Sequence, residues 1–382
     1  MNRIMQRGLL LSLTVALLSS VTSGSTLSVC SYEPPESRVS DLGILGSFNW
    51  YDGPYADDRN RALSASLVGD YKTMISSASF GRAIDARTEI RADDNGWTAD
   101  LSGSGSLSSF FGADSMEGAR ASGDLFGVGA VGFSASTRAG IELDLTGGIG
   151  AGRFRDVTPL AQAIWIQNEL LDLGELLAPV TDDTLLELAQ ILGGIEMTDD
   201  EKVVALVDRL ATTELLAGED LGIRGSLAIE DVLASGDETR LCGRDIQARL
   251  GVSATVYPEF SLASTGILRL RYAAVPDPIS QFDSGAEVKI RLMHPEQMSI
   301  QANVSYVRRL PDGWMARAAY RVIANRGWTS PGMADISHAA SGSLTTQIFD
   351  SVGLSLVGSA QYHTGDDEVT LTLALYMETD LF

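Results

Sequence analysis

Ionisable side chains recur at every second position in several short stretches of this 382-residue chain, and any chemistry would reside there. Asp85, Arg87 and Glu89 form one set, followed by Asp100, and Glu142 and Asp144 form another. Later stretches are richer in bases: Arg269 and Arg271, then Glu287, Lys289 and Arg291, then Arg317 and Arg321. A period of two puts alternate residues on opposite faces of a β-strand. Val288, Ile290 and Leu292 therefore oppose Glu287, Lys289 and Arg291. The chemistry such faces support is electrostatic. Acidic strands facing basic ones across a wet lumen would set up a transverse field that sorts small polar solutes by charge. In the plainer alternative, neighbours such as Arg87 with Asp100, and Arg271 and Lys289 with Glu287, neutralise one another and merely hydrate the interior.

Covalent catalysis finds little support. The chain has three histidines, His294, His338 and His363. His363 lies beside Asp366 and Asp367, and a solvated polar turn accounts for that group. No metal-ligand spacing occurs, and the glycines of 147–152 lack any accompanying nucleotide motif. The chain reads as a non-enzyme, with no catalytic residues, no metal and no cofactor. A net charge of −22 argues against nucleic acid as a partner, since phosphate binding relies on Lys and Arg.

The elements that would position these charges are strands of roughly ten residues with one apolar and one polar face, the pattern of a membrane-spanning β-barrel. Six precede residue 158: 41–51, 62–72, 80–91, 97–107, 125–136 and 140–153. Eight follow: 246–257, 266–275, 285–293, 297–308, 314–325, 339–349, 352–363 and 368–382. Asp93-Asp94-Asn95-Gly96 is a hairpin signal, and residues 108–124 carry no pattern. Between the two groups the period changes to helical, with Leu160, Ile164 and Leu171, then Leu185, Leu188 and Leu192, then Val203, Leu206 and Leu210. Thr158-Pro159, Asp182 and Thr198 supply helix starts. Residues 219–243 read as loop with a short helix.

The N-terminus reads as a secretory signal peptide over 1–23, with Arg3 and Arg7 before an apolar run from Gly8 to Val21 that is too short to span a bilayer. The expected organisation is a signal peptide, a periplasmic lead-in over 24–40, a first half-barrel over 41–157, a helical insert over 158–245 and a second half-barrel over 246–382. The fold class is an all-β membrane barrel of about fourteen antiparallel strands with an inserted, mainly α-helical segment. An even strand number puts the insert on the same side as both termini, in the periplasm or folded back as a plug. Cys30 and Cys242 then share the oxidising periplasm, which makes them a disulfide candidate.

The last strand, with Val369, Leu371, Leu373, Leu375 and Met377 on one face and Phe382 at its end, resembles the terminal strand recognised by the barrel-assembly machinery. Phe382 falls on the other face unless a bulge intervenes, and Asp380 sits where an aromatic is common. Gly150-Ala151-Gly152-Arg153, followed by Asp156-Val157-Thr158-Pro159-Leu160-Ala161-Gln162-Ala163, resembles a junction of poorly characterised bacterial outer-membrane β-barrel proteins carrying a helical insertion. These resemblances imply the outer membrane of a Gram-negative bacterium, with its lipid and the assembly machinery as partners and a possible periplasmic partner for the insert. The expected function is passive passage of small polar or charged solutes. The alternative is a non-conducting structural or export-partner barrel whose insert plugs the lumen or docks a periplasmic protein.

Overall fold

The computed structural model describes residues 27–34, 36–51, 62–77, 79–93, 96–111, 125–137, 140–194, 197–218, 220–234, 239–257, 260–292, 297–310, 313–327, 335–349, 352–363 and 369–379. The expected signal peptide, Asp366 and Asp367, Asp380 and Phe382 lie outside these residues.

Six strands precede the helices: β1 (Glu36–Tyr51), β2 (Ala62–Ser77), β3 (Phe80–Asp93), β4 (Gly96–Phe111), β5 (Leu125–Ser136) and β6 (Gly140–Asp156). Eight follow: β7 (Leu241–Tyr257), β8 (Ser261–Ala274), β9 (Ser280–Arg291), β10 (Gln297–Arg309), β11 (Met315–Gly327), β12 (Asp335–Phe349), β13 (Val352–His363) and β14 (Val369–Thr379). All belong to one sheet in sequence order, each strand antiparallel to the next. That is the up-and-down order of a β-barrel. Several strands extend four or five residues beyond the expected ranges, as at the starts of β8, β9 and β12. Two of these extensions cross an expected domain boundary: β1 starts at Glu36 within the expected lead-in, and β7 starts at Leu241 within the expected insert. The reason in β7 is that its ladder with β6 runs on to Leu241, opposite Asp156, ahead of the first alternating apolar residue.

The burial pattern is inverted relative to a water-soluble sheet. Along β7, Asp245, Gln247, Arg249 and Ser253 are buried while Ile246, Leu250 and Val252 are exposed. Along β6, Ile141, Leu143, Leu145 and Ile149 are exposed, and Thr146 is buried. Aromatics occupy both ends of this apolar surface. Phe80, Phe111 and Tyr272 lie toward the turns, and Phe133, Phe260 and Tyr362 lie toward the opposite loops. On that loop side, the Tyr320 hydroxyl and His338 Nδ1 are 2.8 Å apart, and His338 also meets the Tyr362 ring.

The β6–β7 seam bends the sheet. A Cβ built on Gly148 would lie 2.0 Å from the Ala248 carbonyl oxygen, and one on Gly251 would lie 2.0 Å from that of Leu145. Further along, Gly152 and Gly243 take positive φ of 103° and 141°. Side chains are thus excluded by the neighbouring backbone on both strands, and glycine lets the two backbones meet at a corner.

The helices form a separate unit with a conventional core. They are α1 (Thr158–Asp172), α2 (Asp182–Leu192), α3 (Asp199–Ala211) and α4 (Ile223–Ala234). Leu160, Ile164, Leu170, Leu185, Leu188, Leu206, Leu210 and Ile229 are buried to within 1% of full exclusion. Pro at the start of α1, the Thr181 side chain at α2 and a Thr198–Glu201 capping box at α3 fix the helix starts. The α3 box holds the Glu201 carboxylate below its ordinary range, chiefly through the Thr198 amide. No described helix is long and apolar enough to cross a membrane.

This unit is stapled to the turn end of the sheet. Val29, Tyr32, Cys242 and Val275 join its core, Arg309 lies over the Trp165 ring at 5.0 Å, and Arg155 pairs with Glu33 at 3.0 Å. Burial, then the Asp156 charge, pushes the Tyr32 hydroxyl above its usual value. Cys30 and Cys242 form a disulfide with Cα atoms 5.3 Å apart, closing a loop of 212 residues. On the loop-entropy account such a link stabilises by about 5 kcal/mol.

Two outcomes follow. Gly148→Val abolishes the folded, heat-modifiable band on electrophoresis, whereas Gly129→Ala, with open space around the added methyl, retains it. Reducing the disulfide exposes the lead-in to protease, read as N-terminal trimming by mass spectrometry, while the heat-modifiable band persists.

Candidate functional site: the paired interior

The buried face of β6–β9 carries most of the ionisable side chains that the sequence singled out. Adjacent strands lie ~4.8 Å apart, so β6 and β9 would be ~14 Å apart in a flat sheet. Yet Lys289 Nζ on β9 lies 3.2 Å from an Asp144 carboxylate oxygen on β6, and Arg291 lies 3.4 Å from Glu142. Only a sheet curled at the β6–β7 corner brings these groups together. On the shared face, Ser253 donates to Glu142 at 2.7 Å.

For β6 and β9 the geometry is direct contact rather than separation across a lumen. Glu142 and Asp144 are in ion pairs with Lys289 and Arg291, because the sheet folds one wall onto the other. Two expected neighbour pairs also change. Arg87 stands opposite Asp70 and Ser102, and it pairs with Asp70 at 3.5 Å and Glu89 at 3.6 Å. Asp100 is registered with Glu89 instead. Arg271 pairs with Asp245 on β7, while Arg269 is registered with Glu287 and lies 3.9 Å from it. Period two sets the faces, and the register, offset by two residues, sets the partners.

Asp245, Gln247 and Arg249, outside the expected set of interior charges, sit at the centre of the network. One Asp245 carboxylate oxygen accepts from Gln247 at 2.8 Å and from Arg271, and Arg249 reaches Glu287 at 3.8 Å. The signal for them is the Asp-x-Gln-x-Arg alternation that straddles the expected strand start at 246. Toward the turn end the interior becomes aromatic. Arg153 lies over Phe110 at 3.9 Å, Phe110 meets Phe126 edge-on at 5.4 Å, and Arg271 lies over Phe154 at 4.7 Å.

The remaining charges stand elsewhere on the same polar face. Asp85 is registered with Lys72, and both are exposed. Arg317 and Arg321 on β11, registered with Val307 and Asn303, are exposed too. The interior thus has a closed, ion-paired sector at β6–β9 and an accessible polar sector at β2–β4 and β11. Among the described residues no three or more His, Cys, Asp or Glu side chains gather as a metal site. His338 sits on the apolar face, and the His363 side chain, like His294, lies outside the described residues.

Breaking a buried pair leaves a charge without compensation, whereas an exposed pair is screened. Asp245→Ala lowers stability by about 3 kcal/mol, because it strands Arg271 and the Gln247 amide. Arg87→Ala costs less than about 1 kcal/mol, since that pair is half exposed. Urea midpoints in lipid vesicles, followed by tryptophan fluorescence, separate the two.

No family model matches this chain, and no curated protein matches it in sequence. Among solved structures it is similar to the translocator domain of autotransporter NalP from Neisseria meningitidis, at 8% identity and a TM-score of 0.25. That alignment covers 98% of this chain and 94% of the other. At that score the fold rests on the strand order and burial of the chain itself.

Proposed function

We propose that this protein is an outer-membrane β-barrel that passes small polar or charged solutes along the accessible sector of its interior. The observation that carries the reading is the inverted burial of the sheet, with an aliphatic outer surface, aromatics at both ends and charges inside. In water that surface would be a large aggregation liability, and in a bilayer it is the solvated face. The reading requires β14 and β1 to meet in the membrane, because lipid leaves unpaired backbone groups unsatisfied. Among the described residues no ladder joins those two strands.

Solutes would follow Asp85, Lys72, Arg87 and Asp100 on one side and Arg317 and Arg321 on the other, past the rigid paired wall of β6–β9. The helical unit lies at the turn side, which in this reading faces the periplasm, and assembly would use the C-terminal strand. A second reading, a non-conducting structural or export-partner barrel, is favoured by a specific observation. The β7 interior is closely packed, and Phe110, Phe126 and Phe154 narrow the turn end.

Single-channel recording in planar bilayers separates the two. Steady conductance from the refolded protein is expected, and the Arg317→Glu, Arg321→Glu double variant shifts the reversal potential toward cation selectivity. Silence from a preparation that retains heat-modifiable mobility would overturn conduction and leave the non-conducting barrel.

A further inference from the structure

The helical unit has an aliphatic surface that its own core does not use. At the end of α1 and just beyond it, Leu173 and Leu177 are 45% and 70% exposed. At the start of α4, Ile223 and Leu227 are 82% and 52% exposed, one helical turn apart. The two sites are tied together. Gly222 donates its amide to Glu175 at 3.1 Å, and the buried Gly225 is backed by Leu170, where a Cβ would lie 3.2 Å from that side chain. With Gly225, Ile229 and Val232 turned inward, Ile223 and Leu227 are left facing outward.

What surrounds the patch identifies its occupant. Residues 158–234 contain sixteen Asp or Glu and three Lys or Arg (3 − 16 = −13), over half of the chain's net charge of −22. Near the patch in sequence, Asp172, Asp220 and Glu230 are exposed, and Arg224 beside Ile223 is the one exposed cation among them, so the rim is acidic on balance. A second copy would bring −13 against −13, and an anionic membrane surface would be repelled in the same way. An apolar strip in a strongly acidic field matches a polypeptide with the opposite rim and the same strip.

We propose that the Leu173/Leu177/Ile223/Leu227 patch docks a cationic amphipathic polypeptide segment, its apolar face on the aliphatic side chains and its Lys or Arg residues on the acidic rim. Docking relies on the apolar strip for affinity and on the acidic rim for attraction and orientation. The proposal stands on the surface of the helical unit and is independent of whether the lumen conducts.

The test uses the full-length protein in zwitterionic nanodiscs and a fluorescein-labelled Leu/Lys amphipathic peptide, read by anisotropy. A Leu/Glu peptide of the same pattern and a Ser/Lys peptide of the same charge serve as controls. The Leu/Lys peptide is expected to bind saturably and more weakly as salt rises. Ile223→Ser with Leu227→Ser should weaken it roughly tenfold or more, since two exposed aliphatic contacts are lost without disturbing the core. Matching circular dichroism and melting curves for that variant establish that the unit stays folded. Equal binding of the Ser/Lys peptide, binding of the Leu/Glu peptide, or unchanged affinity in the variant would each overturn the proposal. Concentration-dependent dimerisation lost in the variant would overturn it in favour of a second copy.

Discussion

The β6–β7 seam is the constraint on which the other arrangements depend. Two antiparallel backbones approach so closely there that a methyl group at Gly148 or Gly251 would collide with a carbonyl oxygen of the partner strand. Removing side chains from a seam sacrifices packing and adds backbone entropy to the cost of folding. What it gains is curvature, because the sheet turns a corner at this point. The corner folds β6 toward β9 and turns a would-be separation of ~14 Å into direct ion pairs. It is also where the chain leaves the sheet for the helices and returns, so the bend and the insertion share one location.

Two opposite burial rules operate in one chain. In the helical unit, leucines and isoleucines are inside and acids outside, as water dictates. In the sheet, the aliphatics face outward and the ion pairs inward, which suits a surrounding of hydrocarbon. The junction between the regimes is firmly tied. The Cys30–Cys242 disulfide, the Glu33–Arg155 pair and the Arg309–Trp165 contact all lie where strand ends meet helix core. The helical core includes Val275 from the β8–β9 turn and Val29 and Tyr32 from the lead-in, so the unit is seated on the turn end of the sheet.

The interior network illustrates why charge alone is a poor guide to function. Lys289, Arg291, Glu142 and Asp144 are the kind of residues that would sort solutes if they stood free. Held in mutual pairs, they act as cross-links between β6 and β9 and contribute little net field. Arg317, Arg321 and Asp85 are instead exposed on the polar face. The β7 triplet of Asp245, Gln247 and Arg249 is too enclosed to meet a solute and serves to hold β8 and β9 in place.

Strand number, order and face were legible in the sequence, because period two is a local property that survives without knowledge of partners. Val288, Ile290 and Leu292 against Glu287, Lys289 and Arg291 give the face of β9 by themselves. The first three helices were equally readable from Leu185, Leu188 and Leu192 and from the Thr198 cap, down to the change of period after Pro159, whereas α4 lies in a stretch read as loop with a short helix. Partners were not readable. Arg87 finds Asp70 rather than Asp100, and Arg271 finds Asp245 rather than Glu287, because register depends on how long each turn is and where each strand starts. The pairing of β6 with β9 was further out of reach, since it depends on curvature set by glycines whose effect appears only when two strands are laid side by side. Sequence alone determined which side chains share a face; the tertiary fold decided which of them meet, because meeting depends on register and bend, and those are properties of the assembled sheet.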